Sequence, residues 1–195
     1  MVIFSITHSL LAGDNCKTFI RKRMGERAYF GLYRIGYNVI AGISLAPIIL
    51  LMVLYPGDLV WSATDVVAVI LLVIQAAGIM GLLISLLQID LGQFTGLSQL
   101  RAYLNNQPLP LPTEPLQTNG VYKLVRHPLY LFSLMAIWPF ATMSQALFAF
   151  NTGATLYFIF GSLLEERRLL AIFGQSYRDY RQRVPWLIPF LKIRH

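Results

Sequence analysis

The stretch DVVAVILLVIQAAGIMGLLISLLQ, residues 65–88, carries one charge, Asp65, at its very start. About 20 apolar residues in helical form cross a bilayer core of ~30 Å. A strand or an amphipathic helix of a soluble protein does not need so long a run without a polar face. The segment therefore reads as a transmembrane helix, and the composition agrees. Of 195 residues, 56% are hydrophobic and 13% charged, against about 25% charged in soluble domains. The one cysteine, Cys16, excludes an internal disulfide and the Cys-rich zinc patterns, and no metal is expected. The net charge of +7 comes without an RNA- or DNA-binding motif, so nucleic acid is not an expected partner. The N-terminus lacks a basic start followed by a small-residue cleavage site and is expected to stay in the mature protein.

Outward from this segment, residues 37–55 form a second near-continuous apolar run. Residues 128–143 are shorter and could cross only upright or where the bilayer thins. From Gln145 a longer helix is expected to run to Phe173, reaching roughly 40 Å, so its last two turns should emerge into water. Residues 1–12 are counted as a further crossing, with an interfacial segment as the alternative. The expected fold is all-α: a polytopic membrane helix bundle of about five transmembrane helices, in one domain spanning 1–195. Within it, 1–88 hold the N-terminal helices, 89–127 a cytoplasmic connection, and 128–195 a helical hairpin and tail.

The basic residues give this map a direction. All 16 Lys and Arg fall after the first segment (Lys17 to Arg34), between the third and fourth (Arg101, Lys123, Arg126), or after the fifth (Arg167 to Arg194). The other two connections contain none. Positive charge marks the cytoplasmic side, so the N-terminus is expected outside and the C-terminus in the cytoplasm. Small residues, Ala76, Ala77, Gly78 and Gly81 in one segment and Gly153, Ala154 and Gly161 in another, read as helix-packing positions.

Chemistry-bearing residues gather at the cytoplasmic level. One group, Tyr122, Arg126 and His127, precedes the segment that starts at Pro128. Another, Glu165, Glu166, Arg167 and Arg168, falls about 20 residues into the last helix. Proline suits the first helical position and pushes the preceding residue, His127, towards an extended conformation. A helix start offers N–H groups to a carboxylate or phosphate, and two adjacent carboxylates suit a cation. Together they would suit a zwitterion. The plainer alternative is a solvated helix end with surface ion pairs worth ~0–1 kcal/mol and a structural boundary histidine.

These residues resemble the integral-membrane methyltransferases, the group of the isoprenylcysteine carboxyl methyltransferases and phospholipid N-methyltransferases. GVYKLVRHPLY (120–130) followed by EERRLLAIFGQSYRDYRQRVPWLIP (165–189) carries the likeness. HSLLAGDNCKTFIRKR, YRIGYNVIA and DLGQFTGLSQL extend it over nearly the whole chain towards the bacterial methanethiol S-methyltransferases. The NnrU-type membrane proteins share some of the N-terminal pattern. The resemblance implies S-adenosylmethionine as methyl donor, bound without a G-x-G-x-x-G loop, which the chain lacks. It implies Tyr122, His127, Pro128, Leu129, Tyr130, Glu165 and Glu166 as cofactor-binding residues, with Gln107 and Gln117 from the loop.

One position departs from the prenylcysteine enzymes. Their substrate-binding arginine, four residues before the first glutamate, is here Gly161 on the apolar face TLYFIFGSLL. A buried prenylcysteine carboxylate would lose its partner. The expected acceptor is therefore a small hydrophobic thiol such as methanethiol, giving dimethyl sulfide, or another lipid-soluble acceptor. His8, Tyr33 and Arg126 are the catalytic candidates, and Tyr37 a further pocket residue. The expected location is the bacterial inner membrane, in contact with lipid, with the cofactor site facing the cytoplasm. The competing classes are a lipid or prenylcysteine methyltransferase and a non-enzymatic heme-binding protein of the NnrU type.

Overall fold

A computed structural model describes residues 2–191. Met1, Lys192 and Arg194, which entered the span and charge map, lie outside the described residues. The protein is mostly helical, and among the described residues three helices are long and apolar enough to cross a membrane. Cα packing divides the chain into two compact units.

The first unit comprises the described residues up to Tyr55 together with Asp90–Glu114. Helices α1 (Val2–Ala12), α2 (Asp14–Met24) and α3 (Glu26–Leu54) follow one another, and α5 (Leu91–Thr95) and α6 (Leu97–Leu104) pack against α3. Helix α3 begins 11 residues before the apolar run from Tyr37. The added turns are held by polar contacts: Arg27 donates to the carbonyls of Tyr103 and Gln107, and Asn38 to that of Thr95. At Gly31 a Cβ would stand 2.5 Å from Tyr103 Cβ, so α3 and α6 meet almost backbone to side chain.

The second unit comprises Pro56–Ile89 and the described residues from Pro115 on. Helix α4 (Asp65–Leu87) packs on α7 (Pro128–Ile137), followed by α8 (Gln145–Phe173) and α9 (Gln175–Arg183). The sequence reading contains no strands, yet β1 (Leu59–Ser62) pairs antiparallel with β2 (Thr142–Ser144), with a bulge between Leu59 and Trp61. This pair ties the start of α4 to the start of α8, and Ser144 Oγ caps α8 by accepting from Leu147 N. Gly174, at φ +52, ends α8 and lets the chain reverse into α9, a backbone region that favours glycine.

Two of the expected crossings are short helices. α7 has 10 residues and α1 has 11, or about 15–17 Å of helix each, short of a ~30 Å core. α7 stops because Pro139 has no N–H to continue the helical ladder; Trp138 keeps helical backbone angles, and its Nε1 donates to Thr155 Oγ1 at 2.9 Å. Residues 142–143, expected in the same span, instead enter β2. By contrast α4 and α8 start at Asp65 and Gln145 as read, and α8 ends at Phe173.

Candidate functional site

The β pair fixes one end of the second unit, so α7 and α8 extend from it towards a common far end. There the chain enters α7 through Arg126, His127 and Pro128, while α8 presents Glu165 and Glu166. Pro128 occupies the first helical position and is fully buried. His127 is non-helical, at φ −122 and ψ 63, so it stops short of the extended ψ expected before proline.

His127 stands between the two carboxylates. Its Nε2 is 3.2 Å from Glu166 Oε1, and its Nδ1 is 3.5 Å from Glu165 Oε2. Burial works against the charge on His127, but the facing carboxylates outweigh it and raise its pKa above the ordinary 6.5. Its ring also stacks on Tyr130, centroids 5.6 Å apart, and Tyr130 stacks on Phe158 at 5.3 Å.

The two glutamates are unequal. The Glu166 side chain is 10% exposed, and four groups converge on it. Oε1 accepts from Arg126 Nε at 2.7 Å and from Tyr177 Oη at 3.0 Å, besides His127, and Oε2 lies 3.2 Å from Arg181 Nε. Burial and the neighbouring Glu166 charge both push the Tyr177 hydroxyl well above its usual pKa, so it stays a proton donor. Arg126 also donates through Nη1 to the carbonyls of Arg181 and Val184. These groups saturate each other within the protein. Glu165, by contrast, has a side chain 45% exposed, with capacity left for a ligand.

The tail closes round this network. Arg126 N donates to the carbonyls of Pro185 and Trp186, Tyr180 Oη donates to the Tyr122 carbonyl at 2.6 Å, and Tyr177 and Tyr180 form a core with Val184, Leu116 and Leu169. Neither Tyr177 nor Arg181 was singled out as a site residue. For Tyr177 the sequence signal is the Tyr-x-x-Tyr spacing with Tyr180 in an otherwise polar α9, which puts both rings on one face.

The remaining expected site residues divide as follows. Leu129 and Tyr130 are half-buried in the first turn of α7. Gln117 shapes its own loop: Nε2 donates to the Gln88 carbonyl at 2.7 Å, and Oε1 accepts from Thr118 N. Gln107 belongs to the first unit, where its carbonyl accepts from Arg27. His8 and Tyr33 also belong to that unit. His8 Nε2 hydrogen-bonds Tyr37 Oη, Tyr33 Oη donates to the Leu11 carbonyl, and His8 stacks on Phe4 at 5.3 Å.

Comparison with known proteins gives a consistent picture. A family model described as NnrU protein matches residues 1–182. The chain is 32% identical, over 97% of its length, to methanethiol S-methyltransferase 1 of Bradyrhizobium diazoefficiens, of which it spans 65%. It is 31% identical, again over 97% of its length, to the methanethiol S-methyltransferase of Crocosphaera subtropica, of which it spans 72%. Over 39% of the chain it is 36% identical to the protein-S-isoprenylcysteine O-methyltransferase B of Arabidopsis thaliana, covering 40% of that protein. No solved structure matches.

Proposed function

The chain belongs to the NnrU protein family, and from its likeness to the methanethiol S-methyltransferases we propose that it is a membrane methyltransferase of that type. The donor would be S-adenosylmethionine and the acceptor a small thiol. The observation that carries this reading is the inequality of the glutamates: one is locked by Arg126, His127, Tyr177 and Arg181, while the other is left accessible beside His127.

This arrangement fits the methionine end of the donor. The cofactor, when bound, supplies a methyl group on a cationic sulfonium. Glu165 can hold an ammonium, and the first turn of α7, which has no side-chain cap, can offer N–H groups to a carboxylate. Arg126 and Glu166 position these elements by joining the start of α7 to α8 and to the tail. The Tyr130 and Phe158 rings give the site an apolar wall that limits water, and alignment in such a place is what a displacement reaction chiefly needs. Beside them Gly161 carries no side chain, and a Cβ there would lie 3.7 Å from Tyr130 Oη. With no cation at that position, a small and poorly charged acceptor is favoured over one bearing a carboxylate.

On the acceptor side we propose His8 and Tyr33 as the residues that handle the thiol and its proton. We further propose a bacterial inner-membrane location with five membrane segments, N-terminus out and the cofactor site towards the cytoplasm, which the one-sided distribution of basic residues supports.

The test is incubation of purified protein with labelled S-adenosylmethionine and a panel of thiols, amines and prenylcysteines. Transfer to small thiols is expected. Transfer to prenylcysteine or lipid amines alone would replace the acceptor assignment, and transfer to none, with a Soret band in the purified protein, would replace the enzyme. Glu165→Ala should abolish S-adenosylmethionine binding by calorimetry; wild-type affinity in that variant would remove Glu165 from the site.

A further inference from the structure

The tail beyond α9 carries an apolar surface that the site does not use. Leu187 is buried, but its neighbours turn outward: Ile188 is 57% exposed, Phe190 97% and Leu191 49%. Phe190 sits at φ +66, a region L residues rarely adopt, and there its ring projects free of the protein. Leu124, two residues before Arg126, is likewise 49% exposed.

Chain geometry sets the level of this surface. α9 reverses at Gly174 and runs back along α8, so that Tyr177 and Arg181 reach Glu166. The next residues, Pro185 and Trp186, are pinned by their carbonyls to Arg126 N. Arg126 lies two residues before Pro128, where the apolar helix α7 begins. The tail is thus returned to the height at which the chain passes from polar loop to apolar helix. Exposed Arg183 precedes it, and Lys192 and Arg194 follow in the sequence. Apolar tips flanked by cations are what an anionic bilayer interface binds.

We propose that residues 186–191 form a lipid-contacting foot, which seats Ile188, Phe190 and Leu191 at the acyl–headgroup boundary and thereby holds the Pro185 and Trp186 carbonyls against Arg126. The partner is the anionic lipid surface. Bilayer contact then supports the order of the Arg126–Glu166–His127 network from outside. This inference does not depend on the chemistry proposed for the site, and its readouts need no cofactor.

The test places an environment-sensitive fluorophore on Phe190→Cys in a Cys16→Ser background, in vesicles of phosphatidylethanolamine and phosphatidylglycerol. A parallel label on Asp179→Cys, on the exposed face of α9, is the control. Position 190 should show blue-shifted emission quenched by lipids brominated near the headgroup, while position 179 stays unquenched. In the unlabelled protein, Phe190→Asp with Leu191→Asp should speed hydrogen exchange of the peptide carrying Arg126 about tenfold in vesicles, whereas Phe190→Leu should leave it near wild type. Water-like emission at position 190 would overturn the foot. So would a blue shift that brominated lipid does not quench and dilution abolishes, since the ring would then pack on a second copy. Quenching with unchanged exchange in the double variant would overturn the coupling to Arg126.

Discussion

At the scale of single residues, adjacent glutamates on one helix have opposite fates. Glu166 is buried with Arg126, His127, Tyr177 and Arg181 around it, so removing its charge strands a guanidinium in a poorly solvated place. Breaking a buried pair from one side costs roughly 3–5 kcal/mol. Glu166→Gln should therefore lower the unfolding midpoint in detergent sharply. Glu165→Gln, at an accessible carboxylate, should change stability by no more than about 1 kcal/mol while removing donor binding. A thermal melt and a binding isotherm on both variants separate the roles, and equal melts would contradict them. His127 adds a pH signature. Facing it are the carboxylates of Glu165 and Glu166, the Tyr130 ring, and, across Glu166, the Arg126 guanidinium and the Tyr177 hydroxyl. Its pKa is raised on folding, so its protonation contributes stability that is full below about pH 6.5 and is lost as pH rises through the folded value. The stability difference between wild type and His127→Gln should thus shrink as pH is raised above 6.5. A difference that grows with pH would mean the imidazole is held neutral.

At the scale of elements, the contact between α4 and α7 depends on two missing side chains. A Cβ at Gly78 would stand 2.6 Å from the Met135 backbone carbon, and one at Gly81 2.3 Å from Phe132 Cδ1. Such close approach is how helices associate where lipid supplies no hydrophobic drive. Gly78→Ala must displace backbone, whereas Gly81→Ala can be met in part by movement of a ring. Gly78→Ala should cost more, of the order of 1–3 kcal/mol for overpacking, and because α7 carries His127 at its start it should also weaken donor binding. Denaturation and binding measured on both variants check the ordering. These glycines were legible as packing positions, because small residues in an otherwise bulky apolar run have few other uses. The start of α3 at Glu26 was not legible: its first turns, ERAYFGLYRIG, mix charges, aromatics and glycines without a continuous apolar run, and what secures them, Arg27 on the Tyr103 and Gln107 carbonyls, joins residues some 80 positions apart. The β pair was hidden for a similar reason. Three- and four-residue strands leave no periodicity to read, and their register rests on long-range backbone pairing.

At the scale of the whole molecule, composition and charge carried the membrane reading, while the site was only half legible. That His127 and the glutamates would meet followed from counting residues along α8. Which glutamate would be locked did not, because that depends on α9 folding back at Gly174 to bring Tyr177 and Arg181 onto Glu166. Sidedness is the property that length and hydropathy leave open, and the charge distribution bears on it by a separate argument. The connection at 56–64 carries Asp58 and no Lys or Arg, whereas the segments holding Lys22, Lys123 and Arg178 carry every positive charge in the chain. Retention of Lys and Arg on the cytoplasmic face therefore predicts that a cysteine at Asp58 is labelled from outside intact cells by an impermeant maleimide, in a Cys16→Ser background. Cysteines at Lys22, Lys123 and Arg178 should react only after permeabilisation. Labelling of positions 22 and 178 from opposite faces would change the parity of crossings between them, and the five-segment path would have to be redrawn with an even number. Labelling of position 123 from outside would be the more damaging result, since Lys123 lies four residues from His127 and would put the donor site on the face where a cytoplasmic nucleoside sulfonium cannot reach it.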